Sequence, residues 1–272
     1  MAVSLPTQLS GTPESRAALP PSRVIADIGL VAGRNLRKLL RNTRLIVFST
    51  IQPLLQLILF AYVFAGVAQV KGTSYKNFVV PGVIVQTMVF SAMGTGVGIA
   101  NDLHTGMIDR FRSLPIARSA FLVGRTVSDS LRLGIQSLLL VIAALIIGFR
   151  FHNGALSAAG MVVVVVLFGM ALTAFSAWLG LTLRDPESVQ AAAFIPILPL
   201  IFTSSAFAPV NRLPGWMQPL AKVNPVTAAI DTARGLAFGS PHTSTAAWHF
   251  AAWWVAIVAV FTALAVRRYR LG

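Results

Sequence analysis

The 272-residue chain contains no cysteine, so neither a disulfide nor a thiolate enters its chemistry. Charge is scarce too: 11% of residues are Asp, Glu, Lys or Arg, and eight are acidic. A soluble domain of this size needs far more charge to cover its surface. No G-x-x-x-x-G-K-[ST] occurs, so the chain has no phosphate-cradling loop of its own. The four histidines, His104, His152, His242 and His249, lie in different segments without the paired spacing of a metal site. Residues 1–21 lack the apolar core of a signal peptide and read as a disordered cytoplasmic tail.

Apolar residues make up 56% of the chain and gather in long runs. A hydrocarbon core of about 30 Å takes roughly 20 residues per helix. The expected fold is therefore an all-α integral membrane domain over residues 22–272. Its spans fall near 45–68, 78–100, 121–148, 155–183, 189–208 and 247–266. The net charge of +14 invites a nucleic-acid reading, but the cations sit at the ends of apolar runs, where cytoplasmic anchors belong. With six spans and the N-terminus inside, cytoplasmic segments hold 16 of the 22 Lys and Arg and outer segments hold 6, which puts both termini in the cytoplasm.

Ser22 caps an expected helix to residue 44. Ile25, Ile28, Ala32, Leu36 and Leu39 form its apolar stripe, and Arg34, Lys38 and Arg41 line the other side, as in an amphipathic helix at the cytoplasmic interface. In the first span Ser49, Gln52 and Gln56 share one face beside Pro53, which should kink the helix. Such a face serves either as contact between helices or as lining of a route; the sequence leaves both open. Gln86 in the second span, Phe194 and Phe202 in the fifth, and the break at Pro196 and Pro199 are the other lining candidates. Gly94 and Gly98 read as a close helix-packing face. Arg125, Asp129 and Arg132 are spaced for pairing along the third helix, which should project into the cytosol before entering the membrane near Leu133. Trp248, Trp253 and Trp254 open the last span as an interfacial belt.

Two segments carry a more specific likeness. One, between spans two and three, holds Gly106, Asp109, Arg110, Arg112 and Pro115; the other, before the last span, holds Pro214, Trp216, Asn224, Pro225, Asp231 and Arg234. Together they resemble the permease subunits of type-2 ABC exporters, within these the daunorubicin-resistance-like branch of drug and lipid exporters. The resemblance implies that the first segment is a coupling helix docking on an ATPase subunit. Asp109, Arg110 and Arg112 would supply polar contact there, and Pro115 cannot continue the helix. It implies that the second segment is an outer re-entrant helical hairpin in which Pro214, Trp216, Asn224 and Pro225 close the outer end of the pathway. Two ABC ATPase subunits would bind ATP and Mg, none being held by this chain, and a second permease copy or a related permease would complete the route. A bacterial plasma membrane, with its lipid, is the implied setting.

Three rivals remain in view: a polysaccharide-exporting permease of the same plan, a polytopic membrane enzyme acting on lipid, and a proton-driven transporter. An enzyme of that kind needs carboxylate, His or Ser chemistry near an interface. A proton-driven carrier needs an ionisable residue at mid-membrane. The acidic residues avoid the span centres, and no His meets a carboxylate at helical spacing within a span.

Overall fold

The computed structural model describes residues 43–63, 74–106, 118–240 and 242–271. Among these residues all regular structure is helical. The helices are α1 (Thr43–Tyr62), α2 (Tyr75–His104), α3 (Arg118–Ile147), α4 (Gly154–Leu183) and α5 (Pro186–Phe202), followed by a 3-10 turn at Val210–Arg212. Then come α6 (Met217–Val223), α7 (Pro225–Phe238) and α8 (Thr243–Leu271). Four of them are long and apolar enough to cross a membrane: α2, α4, α8 and the 128–147 portion of α3. The chain is thus a multi-pass helical membrane protein. The expected interfacial helix at 22–44 lies almost wholly outside the described residues.

Local chemistry sets the helix ends. Ser74 caps α2, its Oγ accepting from the Asn77 N–H, and Gly106, with φ +68°, ends it in the left-handed region glycine tolerates. Between α4 and α5, Arg184 sits at φ +60° and the Asp185 carboxylate accepts from the Ser188 N–H at 2.8 Å. Hydrogen bonding from Ser188 holds this exposed carboxyl below the usual carboxylate range. Pro186 follows at the first helical position, where its missing N–H is harmless.

The fifth span was expected to reach residue 208, but α5 stops at Phe202. The reason is visible in its last turn. The hydroxyl of Thr203 donates to the Pro199 carbonyl at 2.7 Å and that of Ser204 to Ile201 at 2.6 Å. The next N–H groups, which would continue the helix, are diverted: Ser205 donates to Thr227 Oγ1 and Ala206 to Ser204 Oγ, both at 3.2 Å. Residues 204–206 then run as a buried, irregular strip.

Helices α2 and α4 form the centre of the bundle, with α1, α3, α5, α7 and α8 around them. The close approach is made by Gly96 and Gly180. A Cβ at Gly96 would strike the Ser176 carbonyl, and one at Gly180 the Gly96 carbonyl. Ser176 Oγ sits between the helices, accepting from the Gly96 N–H and donating to the Met93 carbonyl, both at 3.0 Å. Gly94 and Gly98, expected to pack helix on helix, instead leave room for the guanidinium groups of Arg132 and Arg125 on α3. Gly96→Ala should therefore destabilise the bundle by about 1–3 kcal/mol through overpacking. Gly134→Ala, with nothing within 4 Å of the new methyl, should be neutral or gain up to about 1 kcal/mol of helix propensity. Thermal unfolding of the two variants in detergent, side by side, checks the contrast.

Candidate functional site

Helix α2 carries polar contacts at three levels, and each ties it to a different neighbour. Nearest its start, Arg234 of α7 lies over the Phe78 ring, 3.6 Å from its centroid. Its Nε donates to the Phe78 carbonyl at 3.0 Å, and its two terminal nitrogens reach the carbonyls of Ser205 (2.7 Å) and Ala206 (3.3 Å), the Ser205 hydroxyl (3.2 Å) and Asp231 (3.3 Å). Only arginine offers donors in such a planar fork. Ser205 Oγ in turn donates to Asp231 at 2.8 Å, and the Ser205 N–H donates to Thr227 Oγ1 at 3.2 Å. One side chain thus fastens α7, the start of α2 and the strip after α5 together.

Asn224 makes the companion joint. Its Oδ1 accepts from the Val226 N–H at 2.8 Å, capping α7, while its Nδ2 donates to the Leu200 carbonyl (2.6 Å) and Thr203 Oγ1 (3.1 Å) at the end of α5. Pro225 opens α7 and is buried.

At the middle level, Gln56 of α1 donates to the side-chain oxygen of Gln86 at 3.1 Å. Gln86 is only 6% exposed, so its amide needs that partner. One turn from each glutamine stands a phenylalanine on the same face: Phe60, stacked on Phe207 at 4.7 Å, and Phe90, 6.0 Å from Phe194. Phe202 lies 6.3 Å from Phe207 and is otherwise exposed.

Towards the end of α2 lies a charged group. Arg125 pairs with Asp102 and, at 3.8 Å, with Asp129; Arg132 pairs with Asp129 at 3.5 Å. Asp129 accepts from Thr95 Oγ1 at 2.8 Å, and Arg132 donates to the Ser91 carbonyl at 2.9 Å. The expected pairing along α3 is present, but this charged half of the helix packs along α2 rather than standing free. Three of the described helix carboxylates, Asp102, Asp129 and Asp231, are thereby committed to arginine, which does not favour a general acid or base role. Among the described residues no group of His, Asp or Glu is arranged to hold a metal.

A family model for ABC-2 type transporters matches residues 27–238. The chain belongs to the ABC-2 type transporter family. It is 33% identical over 229 residues to the daunorubicin resistance ABC transporter permease protein DrrB1 of Streptomyces coeruleorubidus, covering 81% of this chain and 77% of that one. A probable doxorubicin resistance ABC transporter permease protein, DrrC of Mycobacterium tuberculosis, is 25% identical over 237 residues, with 87% and 84% covered. A putative transport permease, ycf38 of Porphyra purpurea, is 30% identical over 219 residues, with 78% and 74% covered. As an ABC-2 permease, this chain is a transport subunit that works with a separate ABC ATPase.

Within this permease the candidate residues divide. Gln56, Gln86 and Phe194 come together in the bundle, whereas Gln52 and Phe202 face outward. Ser49 lies in α1, but its side chain falls outside the described residues, as do Asp109, Arg110, Arg112 and Pro115 of the segment expected to dock on the ATPase. Gly106 is described and ends α2. Pro214 and Trp216 are exposed, while Asn224 and Pro225 are buried at the α5–α7 joint. Of the three tryptophans, Trp248 is 77% exposed, but Trp254 donates to the Leu167 carbonyl of α4 at 2.9 Å and Trp253 to Val223 at 2.8 Å. Sequence reasoning used Arg234 only as part of a motif and as one of the outer cations. The signal available in the sequence was an arginine three residues after an aspartate, a spacing that allows the ion pair and says nothing of the carbonyls.

Proposed function

We propose that this permease is half of a bacterial plasma-membrane exporter carrying a hydrophobic or amphiphilic drug or lipid out of the cytoplasmic leaflet. Two copies, or this chain and a related permease, face each other across a route bounded by α1, α2 and α5. Two ABC ATPase subunits beneath them bind ATP and Mg. In this reading α1 and α5 complete six spans, both termini are cytoplasmic, and residues 209–239 form an outer re-entrant hairpin. The helices α6 and α7, each too short to cross, and the Asn224 and Arg234 joints that fix them support the hairpin. Ile51, Leu55 and Ile58 on one face of α1, with Ile195 and Leu198 on α5, are exposed apolar surface suited to a second permease.

The observation that carries the proposal is the paired Gln56 and Gln86 among phenylalanines, a neutral polar group beside aromatic surface. It can hydrogen-bond a cargo head group without the cost of a buried charge. Removing one glutamine leaves the other unpaired, which costs about 1–3 kcal/mol, so the informative variant is Gln56→Leu with Gln86→Leu. In proteoliposomes containing the complete complex, this double variant should change the relative transport of daunorubicin, doxorubicin and a short-chain fluorescent phospholipid, at near-normal expression. Equal scaling of all three compounds would leave the pair a packing contact and remove it from the route. Failure to co-purify with any ABC ATPase would remove the exporter reading itself.

A further inference from the structure

The charged group between α2 and α3 sits where it brackets the coupling segment. Asp102 is in the last turns of α2 before that segment, and Arg125 is in the early turns of α3 after it. From Asp102 to Ser91 the contacts climb eleven residues of α2, about 16 Å of helix. Every rung is satisfied by the opposite helix: Asp102 by Arg125, Thr95 by Asp129, the Ser91 carbonyl by Arg132, and the Ser91 hydroxyl by Gln136 at 2.6 Å. The side chains of Arg125, Asp129 and Arg132 are 19%, 14% and 28% exposed. Two arginines and two aspartates sum to zero charge, so the assembly is stable only while its members stay together; pulling the helices apart leaves charges unpaired in a poorly hydrated place. Gly94 and Gly98 provide the space that lets the guanidinium groups lie against α2.

We infer that Asp102, Arg125, Asp129 and Arg132 are a strut that makes α2 and α3 move as one body, carrying displacement of the coupling segment to the level of Ser91. These are positioning residues: they need touch neither cargo nor ATPase. The inference rests on the reading of residues 106–115 as the segment that meets the ATPase. Each rung of this ladder has one matching partner, so a change of register between α2 and α3 would break the pairs together.

The absence of cysteine makes the test direct. In the complete permease–ATPase complex in lipid nanodiscs, spin-label pairs are placed at Asn101 on α2 with Leu138 on α3, and at each of these with Val163 on α4, all exposed sites. On binding of a non-hydrolysable ATP analogue, the distances to Val163 should shift together while Asn101–Leu138 stays fixed. In Asp129→Asn the Asn101–Leu138 distance should change with nucleotide and its distribution broaden. Asp129→Glu should restore the fixed distance. Thr95→Val, which deletes one hydroxyl and keeps the shape, should show the same loss more weakly if the Asn variant does not assemble. A wild-type Asn101–Leu138 distance that changes as much as those to Val163 overturns the strut, as does an assembled Asp129→Asn complex that behaves like wild type or a complex in which no distance responds. A permease that binds no ATPase overturns instead the coupling reading beneath it.

Discussion

Arg234→Ala should destabilise the folded permease by about 3–5 kcal/mol, because it leaves the buried carbonyls of Ser205 and Ala206 without their shared donor, at about 1–3 kcal/mol each, while Asp231, half-exposed and still bonded to Ser205, adds little. That is a large part of the roughly 5–15 kcal/mol that holds an ordinary domain together. The side chain is 13% exposed and its hydrogen bonds go to Phe78, Ser205, Ala206 and Asp231. Arg234→Lys should recover only part of the loss, since an ammonium on a flexible stem cannot span these acceptors at once. Ser205→Ala, which removes one hydroxyl and leaves the carbonyl contact in place, should cost about 1–3 kcal/mol, the penalty of an unmade buried hydrogen bond. Thermal unfolding in detergent orders the three variants. Equal melting of Arg234→Ala and wild type would show that α7 is held by its apolar face alone.

Reversing Arg110 and Arg112 to Glu should leave the permease folded and loosen its complex with the ATPase by about 2–5 kcal/mol, the usual cost of unpairing a desolvated interfacial charge. The physical ground is the position of these residues. They follow the stop of α2 at Gly106 and precede Pro115, so they lie in the short segment joining two helices that are clamped together at Asp102 and Arg125. Co-purification of the ATPase at increasing salt measures the effect, and a complex as salt-resistant as wild type would move the docking contact elsewhere. Paired with Arg234→Ala, this variant separates two kinds of failure: loss of fold at the α7 joint, and loss of partner at the coupling segment.

Most of the helical plan was legible because membrane helices announce themselves by length and composition. The runs around 78–100, 155–183 and 247–266 match α2, α4 and α8 with ends extended by a few residues. The turn at Arg184, Asp185 and Pro186 was also legible, since a capping aspartate before a proline has a local reason that needs no neighbour. The end of α5 was not. Thr203 and Ser204 are compatible with a continuing helix, and what stops it is the diversion of the Ser205 and Ala206 N–H groups to Thr227 and Ser204, together with Asn224 arriving from the other side.

The candidate site divides the same way. That Gln56 and Gln86 are polar residues in apolar runs is a property of the sequence; that they are each other's partner depends on α1 and α2 lying antiparallel at one register. Helical periodicity says that Gly94 and Gly98 share a face and that Gly96 does not, but it cannot say which face meets which helix. The bundle turns Gly96 to the backbone of α4 and gives the other two to arginine side chains.

By itself, then, the sequence determined the class of fold, the membrane, the helix caps, and the spacing that lets Arg125, Asp129 and Arg132 pair, because each follows from composition or from contacts within a few residues. Tertiary structure alone decided that Arg234 would find the carbonyls of Phe78, Ser205 and Ala206, and that Asp129 would find Thr95. The physical reason is that a backbone carbonyl carries no letter: every residue has one, and only packing selects which ones are left to be claimed by a buried arginine.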